Sequence, residues 1–186
     1  ARPRTSASPV SMPASPPTRL RIPSIGVDAA VDELGLNTDG TVAVPGVPND
    51  AGWYNGSATP GQTGASVLLG HVDFVGTGPA VFYRLGELKP GETIVVERKD
   101  GSSATFSVDA VREALKSDFP TQEVYGPTDG TAQLRLVTCG DWDSGQHKYV
   151  GNTIVFATLV PPHPASAAAS TKASTASRPR GERGPR

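Results

Sequence analysis

Residues 134–160 read LRLVTCGDWDSGQHKYVGNTIVFATLV. Two runs of alternating apolar residues are separated there by a polar connection that contains glycine, which is typical of two β-strands joined by a loop. In the first run, the period of two places Leu134 and Leu136 on one face and Arg135 and Cys139 on the other. The segment therefore predicts strands rather than helices at this end of the chain.

The middle of the chain repeats this pattern of short strands. Asp100-Gly101 lies between two β-prone runs and predicts a hairpin turn. The segment AVFYRLGEL at residues 80–88 predicts a short helix whose Phe82 and Leu85 face inward. The 21 glycines and 18 prolines favour a fold with many turns. Because strands outnumber helices and turns recur at short intervals, we expect an all-β fold such as a barrel or a sandwich.

The ends of the chain differ from its middle in composition and charge. Of 186 residues with a net charge of −1, residues 1–17 carry +2 and residues 161–186 carry +4, which leaves −7 between them. Both ends are rich in proline, alanine and serine, so we expect a linker and a disordered tail around one folded domain at 18–160. The chain begins with Ala rather than Met, so we expect a fragment whose original N-terminus has been removed. No apolar run is long enough to span a membrane, and a membrane anchor could have preceded Ala1. The net charge of the whole chain, −1, gives no indication that it binds nucleic acid.

Cys139 is the only cysteine, and Gly140 follows it at the end of the predicted strand. A disulfide within the chain is therefore excluded. A lone cysteine is most often a small buried apolar residue. The alternative is a nucleophile, which needs a neighbouring base or cation, because a free thiol with a pKa of about 8.5 is only a few per cent ionised at pH 7.

Three histidines could supply that base. His71 follows the apolar run SVLLG and thus lies at the end of another predicted strand. His147 lies in a polar loop, and His163 lies in the proline-rich tail. A cysteine and a histidine at the ends of two separate strands are the arrangement that nucleophilic catalysis requires, which makes His71 the preferred candidate.

Four segments in this order resemble the sortases, and specifically the actinobacterial class F. They are residues 19–31 (RLRIPSIGVDAAV), 52–73 (GWYNGSATPGQTGASVLLGHVD), 81–96 (VFYRLGELKPGETIVV) and 134–139 (LRLVTC). The resemblance covers nearly all of residues 18–160. It implies a closed eight-stranded β-barrel with one or two short helices. It also implies a monomer on the outer face of the cell membrane of a Gram-positive bacterium, held by a preceding N-terminal anchor.

The same resemblance assigns roles to two residues. Cys139 is implied as the nucleophile that cleaves a Leu-Pro-X-Thr-Gly-type sorting signal between Thr and Gly and holds the acyl group as a thioester. His71 is implied as the acid and base of the reaction. The implied partners are secreted proteins that bear a C-terminal sorting signal, together with an amine of a cell-wall precursor as acceptor. The chemistry requires no metal and no organic cofactor.

One residue of the family pattern is missing. Sortases use an arginine near the cysteine, and in class F it follows a tyrosine just before the last strand, where this chain has Tyr149-Val150. Lys148 could supply the charge, although without the planar fork of arginine. Arg135 shares a face with the thiol but lies four residues away, about 13 Å along a strand. Asn152 could donate a hydrogen bond, or the enzyme could be weakened.

The missing arginine leaves a second function open. A chain that keeps the sortase fold could bind a peptide or a cell-wall component without turning it over. The presence of both His71 and Cys139 favours the enzyme over this binding module.

Two patterns resemble metal sites only weakly. Asp141–Gly145 (DWDSG) begins like a calcium loop, but its glycine comes one position early and no glutamate closes it. His71 and Asp73 fall on one face of a strand, yet no third ligand is close in sequence. We therefore assign no metal to this chain.

Overall fold

Ten β-strands lie in the part of the chain that the computed structural model describes, residues 10–161. They are β1 (Pro17–Ile22), β2 (Val27–Leu34), β3 (Ala51–Tyr54), β4 (Gly64–Leu69), β5 (Asp73–Phe74), β6 (Gly78–Pro79), β7 (Thr93–Arg98), β8 (Ser103–Leu115), β9 (Ala132–Asp143) and β10 (Lys148–Leu159). The same part contains one α-helix, α1 (Thr121–Tyr125), and 3-10 turns at Pro23–Ile25, Leu85–Glu87 and Lys116–Asp118. None of these helices has the length and apolar character needed to cross a membrane.

Eight of the strands form a closed barrel, as expected. Their order around the barrel is β1-β2-β3-β4-β9-β10-β8-β7, and β7 pairs with β1 to close it. Two of these pairs, β2 with β3 and β4 with β9, are parallel, and the others are antiparallel. The short strands β5 and β6 form a separate hairpin. Closure leaves the barrel without an exposed edge strand.

The inward side chains of the barrel form the main hydrophobic core. Leu134 and Leu136 are fully buried, as the alternation in β9 predicts, and they belong to the same cluster as Phe106 of β8. The Asp100-Gly101 turn joins β7 to β8, which confirms the predicted hairpin.

The segment 80–88 buries Phe82 and Leu85 completely, as predicted, but it is not an α-helix. Its hydrogen bonds run from Leu85 N to Phe82 O at 3.0 Å and from Leu88 N to Leu85 O at 3.3 Å. Bonds between residues three apart define tight turns and 3-10 structure. The two apolar side chains are therefore buried by turns and by the 3-10 turn Leu85–Glu87.

A second cluster lies between α1 and the outer face of β4, β9 and β10. Its buried apolar members are Val67, Val124, Val137, Ile154 and Phe156. The guanidinium of Arg135 is buried in the same place, with its carbon 4.7 Å from the centre of the Phe156 ring. Burial lowers the pKa of Arg135. The outward face of β9 is thus covered by the connection between β8 and β9.

The folded domain begins earlier than its predicted boundary. The sequence assigns residues 1–17 to a linker, yet Met12 N donates to Gly61 O at 2.7 Å and Ser15 N donates to Thr59 Oγ1 at 3.0 Å. This segment is extended, as its composition predicts, but backbone hydrogen bonds dock it onto the barrel. Residues 1–9 and 162–186, which include most of the predicted tail, lie outside the described residues.

Arg98 of β7 holds this N-terminal segment in place. Its fully buried side chain donates hydrogen bonds to Pro60 O at 2.7 Å, to Pro13 O at 2.5 Å and to Asp100 Oδ2 at 2.9 Å. Hydrogen bonds from Arg98 and then from Ser102 lower the pKa of Asp100 well below its usual range. The arginine therefore satisfies two backbone carbonyls that would otherwise lack a donor.

Replacing this buried charge should destabilise the fold. We expect Arg98→Met to lower the free energy of unfolding by about 3 kcal/mol, because it leaves buried carbonyls without a donor. Arg21→Met is the matched control, since Arg21 is half exposed and its pair with Glu97 at 3.0 Å is worth less than about 1 kcal/mol. Urea denaturation measures both variants. Equal losses in the two variants would contradict the role of Arg98.

Candidate active site

The parallel pairing of β4 with β9 brings the candidate cysteine and histidine together. Every residue of β4 pairs with the residue 68 positions later in β9, ending with Leu69 opposite Val137. His71 and Cys139 are also separated by 68 positions. The register of the two strands, continued by two residues, thus places His71 level with Cys139.

Two hydrogen bonds show that the pairing continues beyond the end of β4. Gly70 N donates to Val137 O at 3.2 Å, and Thr138 Oγ1 donates to Gly70 O at 2.7 Å. Neighbouring strands lie about 4.8 Å apart. His71, the next residue, therefore leaves the sheet beside Cys139. The sequence places this cysteine at the end of a strand, but β9 continues to Asp143, because Gly140, Trp142 and Asp143 still pair with β10.

His71 is half-buried, and its ring is held on two sides. Its Nε2 lies 2.8 Å from Pro45 O, and the ring packs edge to face on Phe74 with centroids 5.4 Å apart. A carbonyl oxygen can only accept a hydrogen bond, so Nε2 carries the proton in this contact. In a neutral ring, Nδ1 is then the nitrogen that can accept a proton.

Cys139 is half-buried and has a cationic neighbour that the sequence analysis missed. The ammonium nitrogen of Lys116 lies 3.9 Å from the Cys139 sulfur. Lys116 opens the 3-10 turn that follows β8, and β8 is the neighbour of β10. Asn152 of β10 pairs with Cys139 on one side and with Ala114 of β8 on the other. The lysine thus reaches the thiol across a third strand.

The cations proposed from sequence lie elsewhere. Lys148 pairs with Asp143, four residues beyond the level of Cys139, or about 13 Å along the strand. The buried Arg135 directs its guanidinium to Glu123 O at 3.1 Å and to other partners on its own strand and under α1. Neither residue is placed at the thiol.

The remaining donor proposed from sequence is also engaged. Asn152 uses its side-chain amide to donate to Thr138 O at 3.1 Å. Val150, at the position where an arginine was expected, is half-buried on the same strand. Lys116 is thus the cation that the structure places against Cys139.

Two aromatic side chains, Tyr149 and Trp142, lie on the other side of the site. Tyr149 donates from its hydroxyl to Asp73 Oδ2 at 2.5 Å, which ties β10 to the residues directly after His71. This hydrogen bond and the charge of the carboxylate raise the pKa of Tyr149 to about 12. The exposed Trp142 packs edge to face on Tyr149, with ring centroids 4.9 Å apart.

The segment Asp141–Gly145, which resembles a calcium loop, lies at the turn between β9 and β10, and its Asp143 carboxylate bonds to other residues of that turn. Asp143 Oδ1 accepts hydrogen bonds from Gly145 N at 2.9 Å and Gln146 N at 3.0 Å, while Oδ2 accepts from the Gln146 side chain at 2.6 Å. His147 is exposed in the same turn with a positive φ of 51°. Within residues 10–161, no three metal-binding side chains form a cluster. His163 lies outside the described residues.

Solved structures of sortases share this fold. Sortase A from Corynebacterium diphtheriae matches with a TM-score of 0.61 and 22% identity, over 86% of this chain and 65% of its own. Sortase C1 from Streptococcus agalactiae matches with a TM-score of 0.62 and 22% identity, over 78% of this chain and 68% of its own. Sortase C-1 from Actinomyces oris has a TM-score of 0.59 and 22% identity, over 77% and 73% of the two chains.

At this level of identity, these matches show the fold alone. No curated protein matches the chain. A model of the sortase domain matches residues 20–160, which include all of strands β2 to β10, His71, Lys116 and Cys139. That match covers most of the chain, and the protein belongs to the sortase family.

Proposed function

We propose that this protein is a cysteine transpeptidase in which Cys139 is the nucleophile and His71 is the acid and base. The observation that carries the proposal is the register of β4 and β9, whose offset equals the separation of the two residues. A nucleophile within β9 and a base just beyond the end of the adjacent β4 stand on a rigid support. Their side chains have the chemistry that acyl transfer requires.

The first half of the reaction forms an acyl-enzyme. The Cys139 thiolate attacks the carbonyl carbon between Thr and Gly of a Leu-Pro-X-Thr-Gly-type signal. The carbon–nitrogen bond then breaks, and a protonated His71 gives its proton to the departing amine. The acyl group remains on the sulfur as a thioester.

The second half transfers the acyl group to an acceptor. An amine of a cell-wall precursor attacks the thioester carbonyl, and neutral His71 takes the proton that the amine loses. The carbon–sulfur bond breaks and returns Cys139 to its thiolate form. The two half-reactions leave the protein unchanged and need no cofactor.

The proposed partners and location follow from the family. The substrates are secreted proteins with a C-terminal sorting signal, and the enzyme works as a monomer at the outer face of a Gram-positive cell membrane, held by an N-terminal anchor. We retain the assignment to the actinobacterial class F as part of this proposal. It is supported by the combination of GHVD at residues 70–73 with LVTC at residues 136–139.

A second candidate function is a sortase fold that binds peptides without turnover. The observation that favours it is Val150, which stands where the family pattern has an arginine. The contact between Lys116 and Cys139 favours the enzyme, because a cation beside the thiol stabilises the thiolate that turnover needs.

The proposed chemistry predicts loss of activity from two single changes. With a fluorogenic Leu-Pro-X-Thr-Gly peptide, Cys139→Ala and His71→Ala should each lower the cleavage rate by at least about 10³-fold. Mass spectrometry of the parent should detect the peptide acyl group on Cys139. His147→Ala is the control, since this exposed histidine lies in the turn between β9 and β10. If several signal variants give neither Cys139-dependent cleavage nor a thioester, the binding module becomes the better account.

The hydrogen bond from Tyr149 to Asp73 predicts a measurable titration. Asp73→Asn should lower the pKa of Tyr149 from about 12 toward the ordinary 10.0, because the substitution removes the negative charge that opposes phenolate formation. The ultraviolet absorbance of phenolate, corrected by subtracting the same titration of Tyr149→Phe, isolates this residue from the other three tyrosines. An unchanged titration in Asp73→Asn would show that the hydrogen bond is not made in solution.

A further inference from the structure

We propose that Lys116 is the catalytic cation of this enzyme and supplies the positive charge that the family pattern assigns to the missing arginine. The inference rests on the proposed transpeptidase function, and it names a residue that neither the motifs nor the position of the expected arginine indicate. Its basis is the 3.9 Å contact of the Lys116 ammonium with the Cys139 sulfur.

The reaction itself creates the need for a cation. The thiolate carries a negative charge before attack, and that charge moves to the carbonyl oxygen in the tetrahedral intermediate. A fixed donor or cation at the developing oxyanion is often the largest single contribution to acyl transfer. With Val150 in place of arginine, position 150 of the last strand cannot provide that charge, and Lys148 of the same strand lies away from the thiol.

Other cations around the site are already engaged. Arg112 makes an ion pair with Glu123 at 2.5 Å and lies over the ring of Phe156 at 4.9 Å. Arg135 is buried under α1 with its donors bonded. In contrast, Lys116 has no carboxylate within ion-pair distance among residues 10–161. Its charge is therefore not neutralised by an acidic partner in that part of the chain.

Acidic and titratable groups also lie on the elements around the thiol, and the structure gives each of the following another partner. Asp73 accepts a hydrogen bond from the Tyr149 hydroxyl at 2.5 Å. Glu113 of β8 accepts from Thr153 Oγ1 at 2.7 Å. The ring of His71 on the β4 side is bonded to Pro45 O. Lys116 is the group from the β8 side that contacts the sulfur.

The position of Lys116 allows one ammonium to stabilise two negative charges that form one after the other in the reaction. It opens a 3-10 turn at an exposed strand end, and its ammonium is carried on a flexible chain of four carbons. Lysine is a point charge with donors in several directions, unlike the planar fork of arginine. The same ammonium can therefore stabilise the thiolate first and then the oxyanion that forms next to the sulfur.

A different role would also place an amine beside the thioester. Lys116 could act as an acyl acceptor and form an amide bond with the bound peptide, which would release the thiolate. That reaction needs the neutral amine, because an ammonium has no free electron pair. We favour the cationic role, since an exposed lysine is charged at neutral pH.

The first test measures the thiol directly and does not depend on any peptide substrate. Cys139 is the only cysteine, so iodoacetamide labels one site. In Lys116→Met we expect the alkylation rate at pH 7 to fall by about two- to fivefold, the range typical of an exposed ion pair. The rate should rise to the parental plateau at higher pH, because the substitution removes the stabilisation of the thiolate and not the thiolate itself. Lys116→Arg should keep the parental profile.

The second test measures turnover of the fluorogenic peptide. We expect Lys116→Met to lower kcat by about 10²-fold with a small change in KM, since the charge acts in the transition state. Lys116→Arg should retain most activity. Adding Val150→Arg to Lys116→Met should restore part of it by placing a guanidinium on the last strand. Lys148→Met is the matched control and should behave as the parent in both tests.

The outcomes separate this inference from the proposed function. Lys116→Met with parental alkylation and parental turnover would overturn the inference, and so would a peptide amide on Lys116 that survives hydroxylamine treatment. If the parent cleaves no peptide and its alkylation is insensitive to Lys116, the inference fails as well. A parent that cleaves no peptide but loses thiol reactivity in Lys116→Met would refute the transpeptidase and keep the lysine as the cation that activates the thiol.

Discussion

The site depends on the parallel pairing of β4 with β9. Antiparallel neighbours bring together residues whose positions have a constant sum, whereas parallel neighbours bring together residues with a constant difference. Here the difference is 68 along the whole pair, and the bonds between Gly70 and its neighbours on β9 extend the pairing beyond the last residue of β4. A slip of one residue would turn one of the two side chains to the opposite face of the sheet. The register therefore fixes the positions of both His71 and Cys139.

The hydrophobic cores on the two sides of the sheet fix that register. Leu68 of β4 and Leu136 of β9 are paired and fully buried inside the barrel, while Val67 is buried in the cluster under α1. Because both faces of these strands are covered along most of their length, a shifted pairing would expose apolar surface on either side. His71 and Cys139 lie just beyond these buried residues, where both become partly exposed.

Much of this arrangement could be predicted from the sequence. Alternation in β9, the Asp100-Gly101 turn and the position of His71 after a strand are local patterns, and local patterns are what a sequence displays directly. The strand end expected at Cys139 was wrong, because Gly140 continues the pairing with β10 instead of ending it. The closed barrel came from the resemblance to the sortases, since short strands alone do not distinguish a barrel from a sandwich. The short helix expected over residues 80–88 is limited to a 3-10 turn at Leu85–Glu87, because burial of two apolar residues does not reveal whether the bonds span three or four residues.

The part that could not be predicted depends on contacts across several strands. Lys116 stands 23 positions from Cys139 and reaches it only because β10 lies between β8 and β9 in the barrel. The docked N-terminal segment was missed for a related reason. Its proline-rich composition offers little apolar surface, and it is held by backbone hydrogen bonds and by the buried Arg98, which no periodicity displays.

The backbone at Lys116, directly after β8, is restrained by different contacts from the backbone at position 150 of the last strand. The expected arginine position, Val150, lies within β10, and the pairing of its neighbours Tyr149 and Gly151 with β9 restrains the backbone there. Lys116 lies just beyond the last paired residue of β8, Leu115, at the start of the connection that carries α1. The backbone of this lysine is thus restrained by β8 on one side and by the packing of α1 on the other. On our proposal, the charge of this active site is set by the ordering of the β8–β9 connection, whereas the nucleophile and the base are set by the rigid register of β4 and β9.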